Sequence, residues 1–183
     1  MKIGFLLGSF DPIHMGHLHM AVSVLNESLV DEVVLVPSVQ NPWKTESSDF
    51  RHRCFMTQLA IDEIENCSIS AIDFRTPEPH YSCETLKLLM EVYPDDELYL
   101  VIGADIVDDI KDWKDGDWIL EHFKLIVINR GGVQFKTPVD GYISNTLNIS
   151  STEIRYLIKD NKQIYPLVPK VVSQYIKRFN LYK

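Results

Sequence analysis

Apolar residues follow two patterns along this chain. Short unbroken runs, of which Lys2–Leu7 and Leu98–Gly103 are the strongest, read as strands buried on both faces. Between them lie helical spacings: Gly16–Leu29 puts Leu18, Val22 and Leu25 on one side, with Met20 and Val24 nearby. Glu32–Val36 predicts a second buried strand, stopped by Pro37. Residues 37–49 are polar, a loop of about a dozen residues, and loops of that length in compact domains go with function or disorder. Asp49 reads as the cap of a helix over Phe50–Glu65, Ser68–Ile72 as a strand, and residues 75–81 as a loop with two prolines. Ser82 is placed to cap a helix that reaches about Val92 and ends before Pro94. Asp105–Asp117 reads as a short acidic helix plus turn, and Trp118–Phe123 as another short helix. Lys124–Asn129 predicts a strand broken by Arg130-Gly131-Gly132, and Gly141–Ser144 a last strand. Ser151–Lys159 and Pro169–Phe179 read as helices, the second with proline at its first position.

Strands that alternate with helices predict an α/β fold, a doubly wound and mostly parallel sheet with helices on both faces. The expected organisation is a single domain over residues 1–183, with 150–183 as a C-terminal helical part. In such sheets ligands sit beyond the carboxyl ends of the strands, at the point where strand order reverses. The loops that matter are therefore 8–17, 37–49, 73–85, 103–113 and 130–152.

Composition narrows the classes. A chain of 183 residues buries roughly 70% of its surface on folding, enough for a core without staples. Hydrophobic residues make up 45% and charged residues 24%, a globular balance. No apolar run approaches the ~18 residues of a membrane span, and Met1-Lys2 leads too quickly into polar turn chemistry for a secretory signal. Cys54, Cys67 and Cys83 form neither a disulfide framework nor a zinc knuckle, so a reduced, cytoplasmic protein with structural thiols is expected. The net charge of −8 argues against nucleic-acid binding. The charge is uneven, however: residues 150–183 carry seven basic and two acidic side chains, either a solvated face or a region that meets anions.

Two segments carry candidate chemistry. Gly8-Ser9-Phe10-Asp11-Pro12-Ile13-His14-Met15-Gly16-His17 follows the first strand and opens the first helix. Gly8 permits a tight turn and close approach of a ligand, and the helix start offers free N–H groups and a positive dipole end. His14 and His17, three apart, share a face and can both donate to phosphate oxygens, which would favour their charged forms. Neither a Walker loop nor GxGxxG is present. The same pair could serve as metal ligands, though no third ligand is evident, or as helix caps. Further on, Ile149-Ser150-Ser151-Thr152-Glu153-Ile154-Arg155 starts a helix with hydroxyls and amides that suit either a capping box or a phosphate, and Arg155 can fork onto one.

Together these segments resemble the nucleotidyltransferases that carry a (T/H)xGH motif and a distant ISSTxxR motif, read here as His14-Met15-Gly16-His17 and Ile149 to Arg155. Over essentially the whole chain the sequence is similar to the bacterial nicotinate-nucleotide adenylyltransferases. Val36-Pro37, Asn41-Pro42-Trp43-Lys44, Tyr81-Ser82, Thr85-Leu86, Ile102-Gly103-Ala104-Asp105, Trp113 and Leu167-Val168-Pro169 carry that likeness. It implies a Rossmann-like fold and adenylyl transfer from ATP, with Mg²⁺, to nicotinate mononucleotide, giving deamido-NAD and pyrophosphate.

The resemblance also implies roles. His14, His17 and Arg155 would be catalytic, His17 stabilising charge on the α-phosphoryl group. Gly8, Ser9, Phe10 and Gly16 would line the ATP site, Ser9 and Phe10 through their backbone. Ser150, Ser151, Thr152 and Arg155 would hold the β- and γ-phosphates. On the acceptor side, Lys44 would meet the attacking phosphate, Gly103 and Asp105 the ribose, and Trp113 the pyridine ring. The free amides near Thr85 would meet the nicotinate carboxylate, and Arg130 would face the nucleotide. Read only as residues, Lys44 and Arg130 fit the surface equally well, and Trp113 the core. Asp108, Asp109, Asp112, Asp115 and Asp117 read as a solvated acidic face, and His19, His52, His80 and His122 as structural or exposed. No metal site formed by protein ligands is expected. The chain departs from the family at Asn41 and Trp43, where proline and histidine are usual, and at Pro77-Glu78-Pro79-His80. Both departures fall on the acceptor side, which leaves nicotinamide mononucleotide or phosphopantetheine as alternative acceptors, and a silent nucleotide-binding protein as an alternative class.

Overall fold

The apolar runs become strands, and all of them point the same way. The computed structural model describes residues 1–40, 47–130, 132–145 and 147–183, apart from the side chains of Arg130 and Asn145. In chain order the elements are β1 (Lys2–Gly8), α1 (Met15–Asn26), β2 (Glu32–Pro37), α2 (Phe50–Ile61), β3 (Cys67–Ile69), α3 (Ser82–Val92), β4 (Glu97–Gly103), α4 (Gly116–His122), β5 (Lys124–Arg130), β6 (Gly141–Asn145), α5 (Ser151–Lys159) and α6 (Lys170–Phe179). Two 3₁₀ turns, Ile72–Arg75 and Val107–Asp112, follow β3 and β4. Strand order is β3-β2-β1-β4-β5-β6, parallel at every pairing. The chain winds outward from β1 to β3 and then returns to β4 on the other side of β1. The order thus reverses between β1 and β4, and the loops that leave these strands part in opposite directions. A crevice forms there.

The strand side chains alternate between two apolar layers, as a period of two requires. Val33 and Leu35 of β2, Val101 of β4 and Ile126 and Ile128 of β5 pack with α1, α2, α5 and α6. Ile3 and Phe5 of β1, Val34 and Val36 of β2, and Leu100 and Ile102 of β4 pack with α3, α4 and the second 3₁₀ turn. The predicted C-terminal helices belong to the first layer: Ile154 and Ile158 of α5 and Val172 and Ile176 of α6 are buried in it. Among the described residues no helix is long and apolar enough to cross a membrane.

Most differences from the predicted boundaries have local causes. α1 stops at Asn26 because Ser28 turns left-handed, with φ of 53°. α2 stops at Ile61, short of Glu65, although Asp49 caps its start as expected by accepting the Arg51 N–H at 2.8 Å. α3 begins with Ser82 as its first helical residue, and its cap position is Tyr81. β3 is three residues long, and Ile72, read as the end of that strand, instead opens a 3₁₀ turn.

Candidate active site

The loop after β1 is shaped by two glycines and two rings. A Cβ on Gly8 would lie 2.9 Å from the Phe10 ring, so only glycine lets that ring fold back over the end of β1. Phe10 itself takes φ of 47° and is buried. A Cβ on Gly16 would lie 3.0 Å from two atoms of the His14 imidazole. Without it, the buried His14 ring stacks on His17 at 3.7 Å, and Phe10 meets His17 edge-on at 4.9 Å. His14 occupies the cap position of α1 and donates its backbone N–H to His17 Nδ1 at 3.3 Å. An accepting Nδ1 bears no hydrogen, so the ring N–H of His17 is at Nε2. The helix start is less open than the sequence suggests. The Met15 amide bonds Leu167 O at 2.9 Å and the His17 amide bonds His14 O at 2.9 Å. The first of these bonds ties the Leu167-Val168-Pro169 segment to this helix.

α5 locks onto the same loop. Ser150 caps it by accepting the Glu153 N–H at 3.1 Å. Ser151 Oγ donates to Pro12 O at 2.9 Å, and Arg155 donates to Asp11 O at 2.7 Å and to Thr152 Oγ1 at 3.2 Å. A guanidinium has five N–H donors, and this one spends two of them holding the loop and its own helix. The second motif, some 130 residues on in the sequence, is thus bonded to residues 11 and 12 of the loop that carries the first.

Among the described residues, two cavities open beyond the carboxyl ends of the strands. The larger, about 520 Å³, is lined by Gly8 and Ser9, by Ser38 and Gln40 after β2, by residues 80–83 and Thr85 at the start of α3, and by Asp109, Asp112, Trp113 and Lys114. The smaller, about 130 Å³, is lined by His17, Gly103, Asp105 and Trp113 among others. Leu7, Ile106 and Trp113 belong to both walls. Trp113 is half-buried between the two spaces and packs against the second apolar layer, as does the half-buried Trp118, which stacks on His122 at 4.5 Å. Lys44 and the Arg130 side chain lie outside the described residues.

Thr85 needs a refinement. It does line the larger cavity, but its amide bonds Tyr81 O at 3.4 Å and its hydroxyl donates to Asp73. It is the fourth residue of the helix, so the amides free of intrahelical acceptors are those of Ser82 and Cys83, one turn earlier. Asp109 and Asp112 are exposed, as the reading of a solvated acidic face has it, and they also line the larger cavity, on a 3₁₀ turn that eclipses residues three apart. Asp108 instead accepts from the Lys136 and Thr137 amides, and Asp115 pairs with Lys87 at 2.6 Å. His80 is a cavity residue that the sequence reading missed. It takes φ of 59°, and its Nδ1 lies 2.8 Å from Thr76 Oγ1. Its place directly before Tyr81-Ser82 was the available signal. His19 and His122 are exposed and His52 is half-buried; they bond Ser23, Trp118 and Tyr175.

Charges around the larger cavity are mostly paired. Lys114 bonds Glu84 at 2.7 Å, holding that carboxyl below its usual range, and Lys87 does the same for Asp115. Cys83, Glu84 and Asp115 come within reach of one ion, but both carboxylates already bond ammonium groups. Burial raises all three thiols, Cys54 and Cys67 to about 11, so none is an activated nucleophile.

Known proteins are similar to this chain in sequence and in fold. A cytidylyltransferase-like family model matches residues 5–157. A probable nicotinate-nucleotide adenylyltransferase of Thermus thermophilus is 34% identical, with all of each chain covered. One from Tropheryma whipplei is 36% identical over 96% of this chain and 97% of its own. Among solved structures, Plasmodium falciparum nicotinic acid mononucleotide adenylyltransferase complexed with NaAD superposes with a TM-score of 0.81, at 23% identity, over 99% of this chain and 97% of that one, which confirms the Rossmann-like fold. With its two motifs joined at one loop and its relatives aligned from end to end, the chain belongs to the nicotinate-nucleotide adenylyltransferase family.

Proposed function

We propose that the protein transfers the adenylyl group of ATP to nicotinate mononucleotide, yielding deamido-NAD and pyrophosphate, as a single domain in a reducing, cytoplasmic setting. The observation that carries this reading is the placement of His17 and Trp113 on one small cavity that opens beside the larger one. A phosphate-binding helix start and an aromatic ring platform then face each other across the crevice. An oxygen of the acceptor's phosphate attacks the α-phosphorus, the α–β P–O bond breaks, and pyrophosphate leaves with the electron pair. No covalent enzyme intermediate is required, so the protein supplies position and charge stabilisation.

The His17 Nε2–H and the Gly16 amide donate to the α-phosphoryl oxygens, with His14 fixing the plane of the His17 ring. The start of α5, with Ser150, Ser151, Thr152 and Arg155, takes the β- and γ-phosphates, and the excess of basic residues over 150–183 suits that load. Gly103 and Asp105 meet a ribose. The larger cavity is of the size that small-molecule sites have. In it the pyridine ring lies on Trp113, and its carboxylate meets the Ser82 and Cys83 amides at the positive end of α3. Mg²⁺ bound to ATP would neutralise the polyphosphate. Asp11, the acid of the phosphate loop, already accepts from Ser48 and Tyr182, so phosphate oxygens and water would supply the ligands.

Asp109 and Asp112 favour a second reading. Two carboxylates in the wall attract the pyridinium charge but oppose an added carboxylate, which suits nicotinamide mononucleotide. The test of the mechanism is His17→Ala: turnover should fall on the order of 10²–10³-fold with little change in melting temperature. A rate within about threefold of the parent would remove His17 from the chemistry.

A further inference from the structure

Behind the wall of the larger cavity lies a guanidinium that the reaction does not use directly. Arg53 of α2 is 1% exposed. Its Nε donates to Ser48 O at 2.9 Å, one terminal nitrogen to Ser9 O at 2.7 Å and Ser38 O at 2.6 Å, and the other to Val39 O at 2.6 Å. These four carbonyls come from three segments: the phosphate loop after β1, the stretch after β2, and the turn before α2. Ser9 and Ser38 also line the larger cavity. The carboxylate whose field chiefly supports the charge is Asp11. Asp11 accepts from the Ser48 hydroxyl, from the Ser48 amide at 3.3 Å and from Tyr182 Oη at 2.8 Å. From the opposite side the buried Asp73 accepts the Val39 N–H at 2.6 Å.

A buried guanidinium is costly, and an apolar side chain of the same volume would fill the space at least as well. What the apolar side chain would lack is a planar fork that reaches several carbonyls at fixed angles. All of the carbonyls gripped here belong to loops at the carboxyl ends of strands, where the backbone would otherwise bond water, and not to the apolar layers. The grip therefore sets the distance between the phosphate loop and the far wall of the acceptor cavity.

We propose that Arg53 is a positioning residue for adenylyl transfer: it touches neither substrate but fixes the Ser38–Val39 wall against the phosphate loop, with Asp11 and Tyr182 holding it in place. This inference rests on the reading of the two cavities as acceptor and ATP sites. It separates Arg53 from a purely structural residue, because the start of α5 is tied to residues 11 and 12 by bonds from Ser151 and Arg155 in which Arg53 takes no part.

The test is Arg53→Lys, which keeps the charge but not the fork, with Tyr182→Phe as a gentler second variant. For Arg53→Lys the acceptor KM should rise about tenfold and kcat fall about 10- to 100-fold, while the dissociation constant for a non-hydrolysable ATP analogue stays within about threefold. Tyr182→Phe should move the acceptor KM and kcat in the same directions by roughly three- to tenfold, and it carries the test if the lysine variant fails to fold. Kinetics unchanged for both substrates would overturn the proposal. So would a loss that disappears at 10 °C, where a merely destabilised variant is fully folded, or equal losses for ATP and acceptor. The parent enzyme is the control for the underlying reading: a parent that forms no adenylylated product refutes that reading and this inference together, whereas an active parent with unaffected variants refutes this inference alone.

Discussion

Gly16→Ala adds one methyl group where the structure has no room for it. The new Cβ would stand 3.0 Å from Cε1 and Nδ1 of His14, against 3.4 Å or more for an ordinary contact, so the ring must retreat by about 0.4 Å. It cannot swing into solvent, because it is 2% exposed and stacked at 3.7 Å on His17. The displacement passes to the ring that faces the phosphates. A misplacement of ~1 Å costs on the order of 10²-fold in rate, so a shift of roughly half that size should cost about tenfold. Stability should fall modestly. Overpacking costs ~1–3 kcal/mol, while alanine inside a helix is favoured over glycine by ~0.5–1 kcal/mol. A net loss of about 0–2.5 kcal/mol lowers the melting temperature of a chain this long by up to ~10 °C. The assay is pyrophosphate release at saturating substrates beside a thermal melt. A rate within about twofold of the parent at unchanged melting temperature would refute the claim that the glycine exists to seat the histidine pair.

Other outcomes follow from the same geometry. Trp113→Ala should raise the acceptor KM about tenfold or more and leave the KM for ATP largely intact; unchanged acceptor kinetics would return Trp113 to a packing role. Ser151→Ala removes the bond to Pro12 O and should weaken ATP affinity severalfold by loosening the phosphate loop, as read by calorimetry with an ATP analogue; equal affinity would show that Arg155 alone holds the loop. Cys54 and Cys67 ionise near 9 when unfolded but only near 11 when folded. The unfolded chain therefore loses these protons first, and stability contributed below pH 9 declines as pH rises toward 11. Melts from pH 7 to 11 should fall more steeply for the parent than for a Cys54→Ser, Cys67→Ala variant, and parallel curves would contradict the assigned shifts.

The sheet was legible because its strands are buried on both faces and so appear as unbroken apolar runs. β3 was the least legible, since Ile72 continues the apolar pattern yet turns into a 3₁₀ helix. The phosphate loop and the start of α5 were legible as motifs, but their mutual lock was not: Ser151 and Arg155 bond main-chain oxygens, and a carbonyl has no residue type to read. Arg53 was hidden for the same reason. In Phe50-Arg51-His52-Arg53 it looks like one more surface cation, and its burial follows only from four carbonyls that meet in space. Asp109 and Asp112 were legible as exposed acids, but not as cavity-lining ones, since their acidic neighbours are exposed too. With Tyr81 rather than Ser82 at the cap position, Thr85 falls one residue deeper into the helix than the sequence suggests, where its amide has an intrahelical acceptor.

The central claim is the pairing of ATP with a pyridine mononucleotide whose carboxylate sits at the start of α3. The most direct measurement is kcat/KM for pyrophosphate release with Mg²⁺-ATP, comparing nicotinate mononucleotide, nicotinamide mononucleotide and phosphopantetheine as acceptors. The account predicts a preference of at least about tenfold for nicotinate mononucleotide, with deamido-NAD formed in equal amount to pyrophosphate. Preference for nicotinamide mononucleotide would show that Asp109 and Asp112 outweigh the amides of Ser82 and Cys83 and would contradict the carboxylate assignment. Silence with all three would contradict the reaction itself.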